Sequence, residues 1–468
     1  MTKLTAFKEY ISEKHVGVIG IGVSNTPLID FLLSCGAKVT ARDIKTREKM
    51  SELAETLEKK GVTLILGEKY LEGLGEDIIF KAPGIRGDLP QFKDAVSRGV
   101  ILTSEMEVFF ELCPCRIFGI TGSDGKTTTT TLTYKMLELE MKNQGSDARV
   151  WVGGNIGKPL LPEIESFKEN DLAVVELSSF QLHMMKKSPA FAAITNVSPN
   201  HLNWHTDMDE YTVSKENIFL GDGNERVVLN YGCEITRDMA ELTDSEVIYF
   251  SGKCTPEDGF AAVYEKDGCI VYRNTEGTVT EILKTADIKI PGRHNVENYM
   301  TAIALTSGFV SKETVNEIAK SFGGVEHRCE FVRELDGVKY YNSSIDSSPT
   351  RTEAALRAFK EKLIVICGGY DKNIPYEPLA IPLIECSKKV ILVGATAPKI
   401  KAALLGCPDY NGTPEIIEAS TFEDSVNAAR NSAKTGDIVI LSPASASFDM
   451  FKNFEERGNY FKNIVNGF

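Results

Sequence analysis

The chain has 468 residues, too many for one ordinary core, and its 42% hydrophobic and 25% charged side chains fit a globular protein of about three domains. A formal net charge of −14 opposes the many Lys and Arg contacts that a nucleic-acid backbone requires, which excludes nucleic acid as a partner. Any anionic ligand must be met by local cations and backbone amides.

The N-terminal residues lack the apolar core of a signal peptide, and no later stretch approaches the ~20 apolar residues of a membrane helix. A cytoplasmic protein with no membrane span is expected. The ten cysteines are scattered, with Cys113 and Cys115 the only close pair, and are expected as reduced thiols.

From residue 16 to about 112 the pattern alternates: strands over 16–21, 38–43, 62–66, 77–81 and 100–103, with helices over 26–35 and 46–60 ended by Gly36 and Gly61. This predicts a doubly wound α/β domain. Its first turn, Gly20-Ile21-Gly22-Val23-Ser24-Asn25, is a Gly-x-Gly-x-x-Gly with Asn in the last place, and Asp43 ends the next strand. In a dinucleotide fingerprint those parts meet a pyrophosphate and a ribose hydroxyl. Any nucleoside diphosphate could use them so; a tight βα turn without ligand is the alternative.

A second domain starts near Cys113. The apolar run 116–120 leads into Gly122-Ser123-Asp124-Gly125-Lys126-Thr127-Thr128, after which Leu132, Met136 and Leu139 recur at helical spacing. Strand, glycine turn and helix in that order make a phosphate site, because loop amides and the positive helix end face the anion. Lys126 would reach the β/γ-phosphates and Thr127 would hold Mg²⁺, although Ile120 stands where the Gly-x4-Gly-Lys-Thr pattern has its first glycine. A plain glycine turn with a solvated lysine is the alternative. Strands over 171–177 and 191–197 end in Glu176 and, farther on, His201, at the edge where open α/β sheets bind ligands. Glu176 is a natural oxygen ligand for Mg²⁺. His201 alone would more often be structural, and Lys215 reads as an ordinary surface lysine of a helix. Asn295 and Asn298 lie one turn apart and could grip a base or phosphate, or cap the helix over 299–309. From about 325 a third alternating section follows: strands over 338–342, 363–367, 390–393 and 437–441, with helices over 349–359, 399–405 and 422–433.

These motifs together resemble the Mur ligases, the ATP-dependent amino-acid-adding enzymes of peptidoglycan precursor synthesis, over essentially the whole chain. The resemblance rests on Thr121-Gly-Ser-Asp-Gly-Lys-Thr127, Gly153-Gly-Asn155-Ile-Gly157, Glu176-Leu-Ser-Ser-Phe-Gln181, His294-Asn-x-x-Asn298 and His327-Arg328 in order. The tail, Ser442-Pro-Ala-x-Ala-Ser447-Phe-Asp-x-Phe-x-Asn-Phe454-Glu-x-Arg-Gly458, is similar to that of the D-glutamate-adding branch. What the resemblance implies is a three-domain α/β protein: a Rossmann-like domain 1–112 for a UDP-sugar, a central P-loop-type domain 113–324 for ATP and magnesium, and a Rossmann-like domain 325–468 for the amino acid. It implies action on UDP-N-acetylmuramoyl-L-alanine and D-glutamate through an acyl phosphate; a monomer is expected. By the same resemblance, Gly122, Ser123, Asp124, Gly125, Lys126, Thr127, Thr128, Asn295, Asn298 and Arg328 bind ATP. Gly22, Val23, Ser24, Asp43, Pro83, Gly84, Asn155 and His201 bind the UDP-sugar, and Ser347, Lys372, Ser447 and Phe454 the amino acid, Ser447 opening the last helix. Thr127, Glu176, His201 and Lys215, the last as a carbamate formed with CO₂, hold two Mg²⁺ ions, and Lys126, Glu176, His201 and Lys215 are catalytic. Ser343 and Ile345 stand where the family often has an acid and a lysine, and those two roles are not carried over. A nicotinamide oxidoreductase using Gly20 to Asp43 would leave Glu176, His201 and the tail unexplained.

Overall fold

Short β-branched runs between amphipathic helices build three separate, mainly parallel sheets in the computed structural model, which describes residues 2–468. The first sheet runs Thr63–Leu66, Lys38–Asp43, His15–Ile19, Ile78–Lys81, Ile101–Thr103 in spatial order, parallel throughout. The second has nine strands, with Arg116–Thr121 between Phe191–Ile194 and Leu172–Glu176. Toward one side it carries an antiparallel pair, Ala261–Lys266 against Cys269–Arg273, with Val279–Lys284 beyond it as the edge strand. The third runs Glu330–Leu335, Val338–Asn342, Ile438–Leu441, Leu363–Cys367, Ser387–Leu392, Glu415–Glu418.

Parallel strands are covered by helices on both faces, so they are apolar without alternation. Leu363–Cys367 and Leu172–Glu176 accordingly have every residue buried. Most predicted elements lie within one to three residues of the observed ones. The exceptions have physical causes. Glu330–Leu335 carries three charges and pairs antiparallel at an edge, so its apolar signal was too weak to read as a strand. The helix expected over 299–309 starts earlier, at Arg293, and ends at Leu305. The last helix is Phe454–Asn466, with the Asn453 side chain accepting from the Glu456 amide as its N-cap; Ser447 therefore lies in the preceding loop and does not open that helix.

The chain forms two compact units, one comprising the residues through Leu283 with Glu297–Val315, the other Lys284–Val296 with Asn316–Phe468. The first two sheets belong to the former, and the third to the latter.

Candidate active site

The chain leaves Arg116–Thr121 toward one side of the second sheet for Val150–Gly154 and Leu172–Glu176 and toward the other for Phe191–Ile194, which makes Arg116–Thr121 the switch point. The loop at its carboxyl end needs glycine twice. Gly122 has φ 145°, and a Cβ there would stand 1.8 Å from Thr195 Oγ1; Gly125 has φ 80°, and a Cβ would stand 2.4 Å from Asn298 Oδ1. Neighbours fix the loop backbone. Ser123 N donates to the Asn196 carbonyl at 2.9 Å, Asp124 N to Asn196 Oδ1 at 3.0 Å, and Thr195 Oγ1 to the Asp124 carbonyl at 2.5 Å. Ser123 Oγ donates to the Ser198 carbonyl and lies 2.9 Å from the Tyr211 hydroxyl. From Gly125 the helix Lys126–Asn143 begins, with Thr127 half-buried and Thr128 buried in its first turn.

Lys126 Nζ donates to the carbonyls of Gly122 (2.8 Å) and Ser123 (2.9 Å). Lys215 Nζ donates to the same Gly122 carbonyl at 2.9 Å. Two lysine nitrogens thus meet at one oxygen. Lys215 is 1% exposed, in the middle of the helix Met208–Leu220, not on the surface as the lone lysine suggested. Burial and then the charge of Lys126 push its pKa well below the ordinary lysine value, toward the neutral amine.

The strand register puts Glu176 opposite Ile120, two residues before the loop. Glu176 is 1% exposed; its Oε1 accepts from Asn155 Nδ2 at 2.8 Å, and its Oε2 is buried without a partner. An orphaned buried carboxylate oxygen is costly, and a hard cation offsets that cost. His201 has φ 55° and sits edge-to-face on Phe180, ring centroids 4.8 Å apart. Burial, Lys126 and Lys215 lower its pKa, favouring the neutral imidazole that a metal or a hydrogen bond uses. Among the described residues no three His, Cys, Asp or Glu converge as a metal site.

On the first sheet, Asp43 is already engaged: Oδ2 accepts from Ile21 N at 2.7 Å and Oδ1 from Lys45 N at 2.9 Å, so it shapes the glycine turn. Asn25, in place of the third glycine, stitches that turn by donating to the Gly20 carbonyl at 2.9 Å. Gly22 and Val23 are exposed and Ser24 is half-buried at its tip. The Pro83-Gly84 loop meets the segment after His201, since Trp204 Nε1 donates to the Gly84 carbonyl at 2.9 Å. Arg86 completes this seam with two parallel bonds to Glu210, 2.9 and 2.6 Å, one to the Trp204 carbonyl, and a stacked contact on the Trp204 ring. The motifs of the sequence do not single out Arg86, Trp204 or Glu210. The only sequence signal was an arginine just after Ala82-Pro-Gly84 and a tryptophan just after His201.

In the unit that carries the third sheet, Ser347 is half-buried, Ser447 is 2% exposed, Lys372 and Arg328 are exposed, and Phe454 begins the last helix. Arg457, 1% exposed, ties the two loops together: Nε and Nη2 donate to Ser344 and Nη1 to the Ala446 carbonyl. Burial lowers its pKa to about 10. Asn295 donates to the Pro291 carbonyl, while Asn298, in the other unit, accepts from Thr129 in the first turn of the helix Lys126–Asn143.

Residues 120–306 match the Mur ligase middle domain and 327–445 the Mur ligase glutamate ligase domain. A protein of Acetivibrio thermocellus named UDP-N-acetylmuramoylalanine–D-glutamate ligase is 51% identical, the match covering 99% of each chain. The chain belongs to the Mur ligase family. Proteins of the same name from Ruminiclostridium cellulolyticum and Clostridium botulinum strain Kyoto are 50% and 48% identical to this Mur ligase, again over 99% of each chain. The Mur ligase fold also matches two solved structures at TM-score 0.57: UDP-N-acetylmuramate-alanine ligase of Thermotoga maritima, 18% identical over 97% of this chain and 100% of the other, and a UDP-N-acetylmuramoyl-L-alanyl-D-glutamate–2,6-diaminopimelate ligase, 16% identical over 98% and 93%. Among the described residues of this Mur ligase no helix is long and apolar enough to cross a membrane.

Proposed function

We propose that this Mur ligase joins D-glutamate to UDP-N-acetylmuramoyl-L-alanine at the expense of ATP, as a cytoplasmic monomer in peptidoglycan precursor synthesis. The observation that carries the phosphoryl-transfer half is the glycine loop on whose Gly122 carbonyl Lys126 and Lys215 converge. The full-length similarity to proteins named for D-glutamate addition supports the choice of substrates. Residues 1–112 would take the UDP-sugar through Gly22, Val23, Ser24, Asp43, Pro83 and Gly84, residues 113–324 the ATP, and residues 325–468 the amino acid through Ser347, Lys372, Ser447 and Phe454.

The loop amides and Lys126 would hold the ATP phosphates while the alanyl carboxylate oxygen attacks the γ-phosphorus and ADP leaves. The amine of D-glutamate, having lost its ammonium proton, then attacks the acyl carbon, and phosphate departs from the tetrahedral intermediate. The residues present fit Mg²⁺: Thr127, Glu176 and His201 are few, and Mg²⁺ usually takes one or two carboxylates with substrate phosphates. When bound it would neutralise charge on the phosphoryl group. A neutral Lys215 amine is the form that takes up CO₂, and the resulting carbamate would replace a repelled ammonium with an anionic oxygen. Neutral His201 and the Asn155–Glu176 pair would position the acceptor.

Phosphate release from ATP with UDP-N-acetylmuramoyl-L-alanine, offered D-glutamate, L-glutamate, L-lysine or no amino acid, tests the proposal. Release should require the acceptor and D-glutamate. Equal release with L-lysine would overturn the substrate choice, and release needing neither co-substrate would overturn the ligase.

A further inference from the structure

A dicarboxylate amino acid needs a cationic or amide donor at each carboxylate, so the cations around Ser347 and Ser447 matter. Most are committed. All three donor nitrogens of Arg457 are used on Ser344 and Ala446, Lys399 is paired with Asp371, and Arg328 is assigned above to the nucleotide. Lys372 is exposed and already assigned to the amino acid.

Arg351 is different. It lies in the first turn of the helix Pro349–Leu356, four residues after Ser347, and is exposed. Its Nη1 donates to the Ile345 carbonyl at 3.3 Å, which folds the guanidinium back across the 345–348 loop. Among the described residues it makes no other hydrogen bond and no ion pair, so Nε and Nη2 remain available as a fork. The loop beneath is fixed: Ser442 Oγ, at the end of a central strand, donates to Asp346 Oδ2 at 2.8 Å and lies 2.9 Å from Thr352 Oγ1. Asp346 is 5% exposed, and its charge faces Arg328 and Arg351, which biases both arginines toward this edge of the sheet.

We propose that Arg351 is a binding residue for one carboxylate of the amino-acid substrate, held beside Ser347, with Lys372 serving the other. The inference rests on the amino-acid-adding function proposed above.

Arg351→Met and Arg351→Lys would be compared with the full-length wild type by phosphate release, varying D-glutamate, ATP and UDP-N-acetylmuramoyl-L-alanine separately. Arg351→Met should raise the KM for D-glutamate about 10- to 100-fold, as expected for the loss of a charge-assisted pair, and leave the other two KM values within about threefold. Arg351→Lys should recover part of the loss, which a merely structural role would not produce. The exposed position predicts unchanged melting of both variants. An Arg351→Met enzyme with wild-type KM for D-glutamate, or one whose three KM values rise together, overturns the role of Arg351 while the ligase stands. A wild type that adds no D-glutamate overturns the underlying function and the inference with it.

Discussion

Gly122→Ala probes the glycine loop most directly, and its cost can be worked from the surroundings. The new Cβ would stand 1.8 Å from Thr195 Oγ1 and 3.1 Å from the Thr195 Cβ and backbone nitrogen. Thr195 has little room to yield: it is 3% exposed, and its hydroxyl is committed to the Asp124 carbonyl at 2.5 Å. Turning that side chain off its rotamer costs about 1 kcal/mol, abandoning its hydrogen bond about 1 kcal/mol, and an alanine at φ 145° about 1–3 kcal/mol more. The loop thus has roughly 3–5 kcal/mol of reason to retreat, and a displacement of about 1 Å loses on the order of 100-fold in phosphoryl alignment. Gly61→Ala serves as control, because Gly61 also has positive φ, 84°, but nothing within 4 Å of the added Cβ. Thermal melting and kcat/KM for ATP would be measured on both. Gly122→Ala should melt lower than Gly61→Ala and lose about 100-fold in kcat/KM, with Gly61→Ala near wild type. If Gly122→Ala keeps kcat/KM within threefold and melts with the control, the loop is not close-packed against Thr195.

Lys215→Ala should be nearly inactive and partly rescued by acetate, which can supply the missing carboxylate oxygen; full activity without acetate would remove the carbamate from the mechanism. Arg86→Met should weaken the seam between the first two sheets. Glu210, held at about 2 chiefly by Arg86, contributes stability that is fully present above its unfolded value of 4.5 and lost as pH falls through 2. Discounted for the 20% exposure of Arg86, that is about 2 kcal/mol at pH 7, and urea titrations should find the gap to wild type closing as pH falls from 4.5; a gap independent of pH would refute it. Asp346 is raised by burial from 3.8 to about 6, so its charge opposes folding above pH 6 and the chain gains stability as pH falls from 6 to 4. Asp346→Asn should abolish that slope and add up to ~3 kcal/mol at pH 7.5, whereas a slope unchanged in its melting profile would show that the carboxyl is not the source.

Local chemistry was legible and long-range placement was not. The strand, glycine turn and helix could be read because the glycines and the flanking periodicities lie close together in sequence, and the structure has strand, loop and helix in that order. The place of Glu176 at a strand end could be read because an acid ends an apolar run. Nothing local distinguishes Lys215 from any helix lysine; its meaning lies in the Gly122 carbonyl, 93 residues away. The seam of Arg86, Trp204 and Glu210 likewise joins residues more than 100 apart in sequence. Ser447 was misplaced because its Pro-Ala-Ser-Ala-Ser context resembles a helix start, whereas the cap that holds the helix is Asn453, six residues on. Asp43 illustrates the opposite limit, since an acid at that position can organise the turn as well as meet a ligand, and its two oxygens already hold backbone amides.

Counting sheets gives three pieces, but the seam changes how many pieces a heated sample has. Arg86 and Trp204 cross-link the first sheet to the second, and only three residues separate the helix Glu105–Leu112 from the strand Arg116–Thr121. The first sheet therefore cannot melt without exposing part of the second. A calorimeter should record two heat-absorption peaks, with the first two sheets sharing one and the third sheet producing the other. A ligand held by the first sheet alone would then raise the melting of the second as well, shielding the glycine loop after Arg116–Thr121 from heat at a distance.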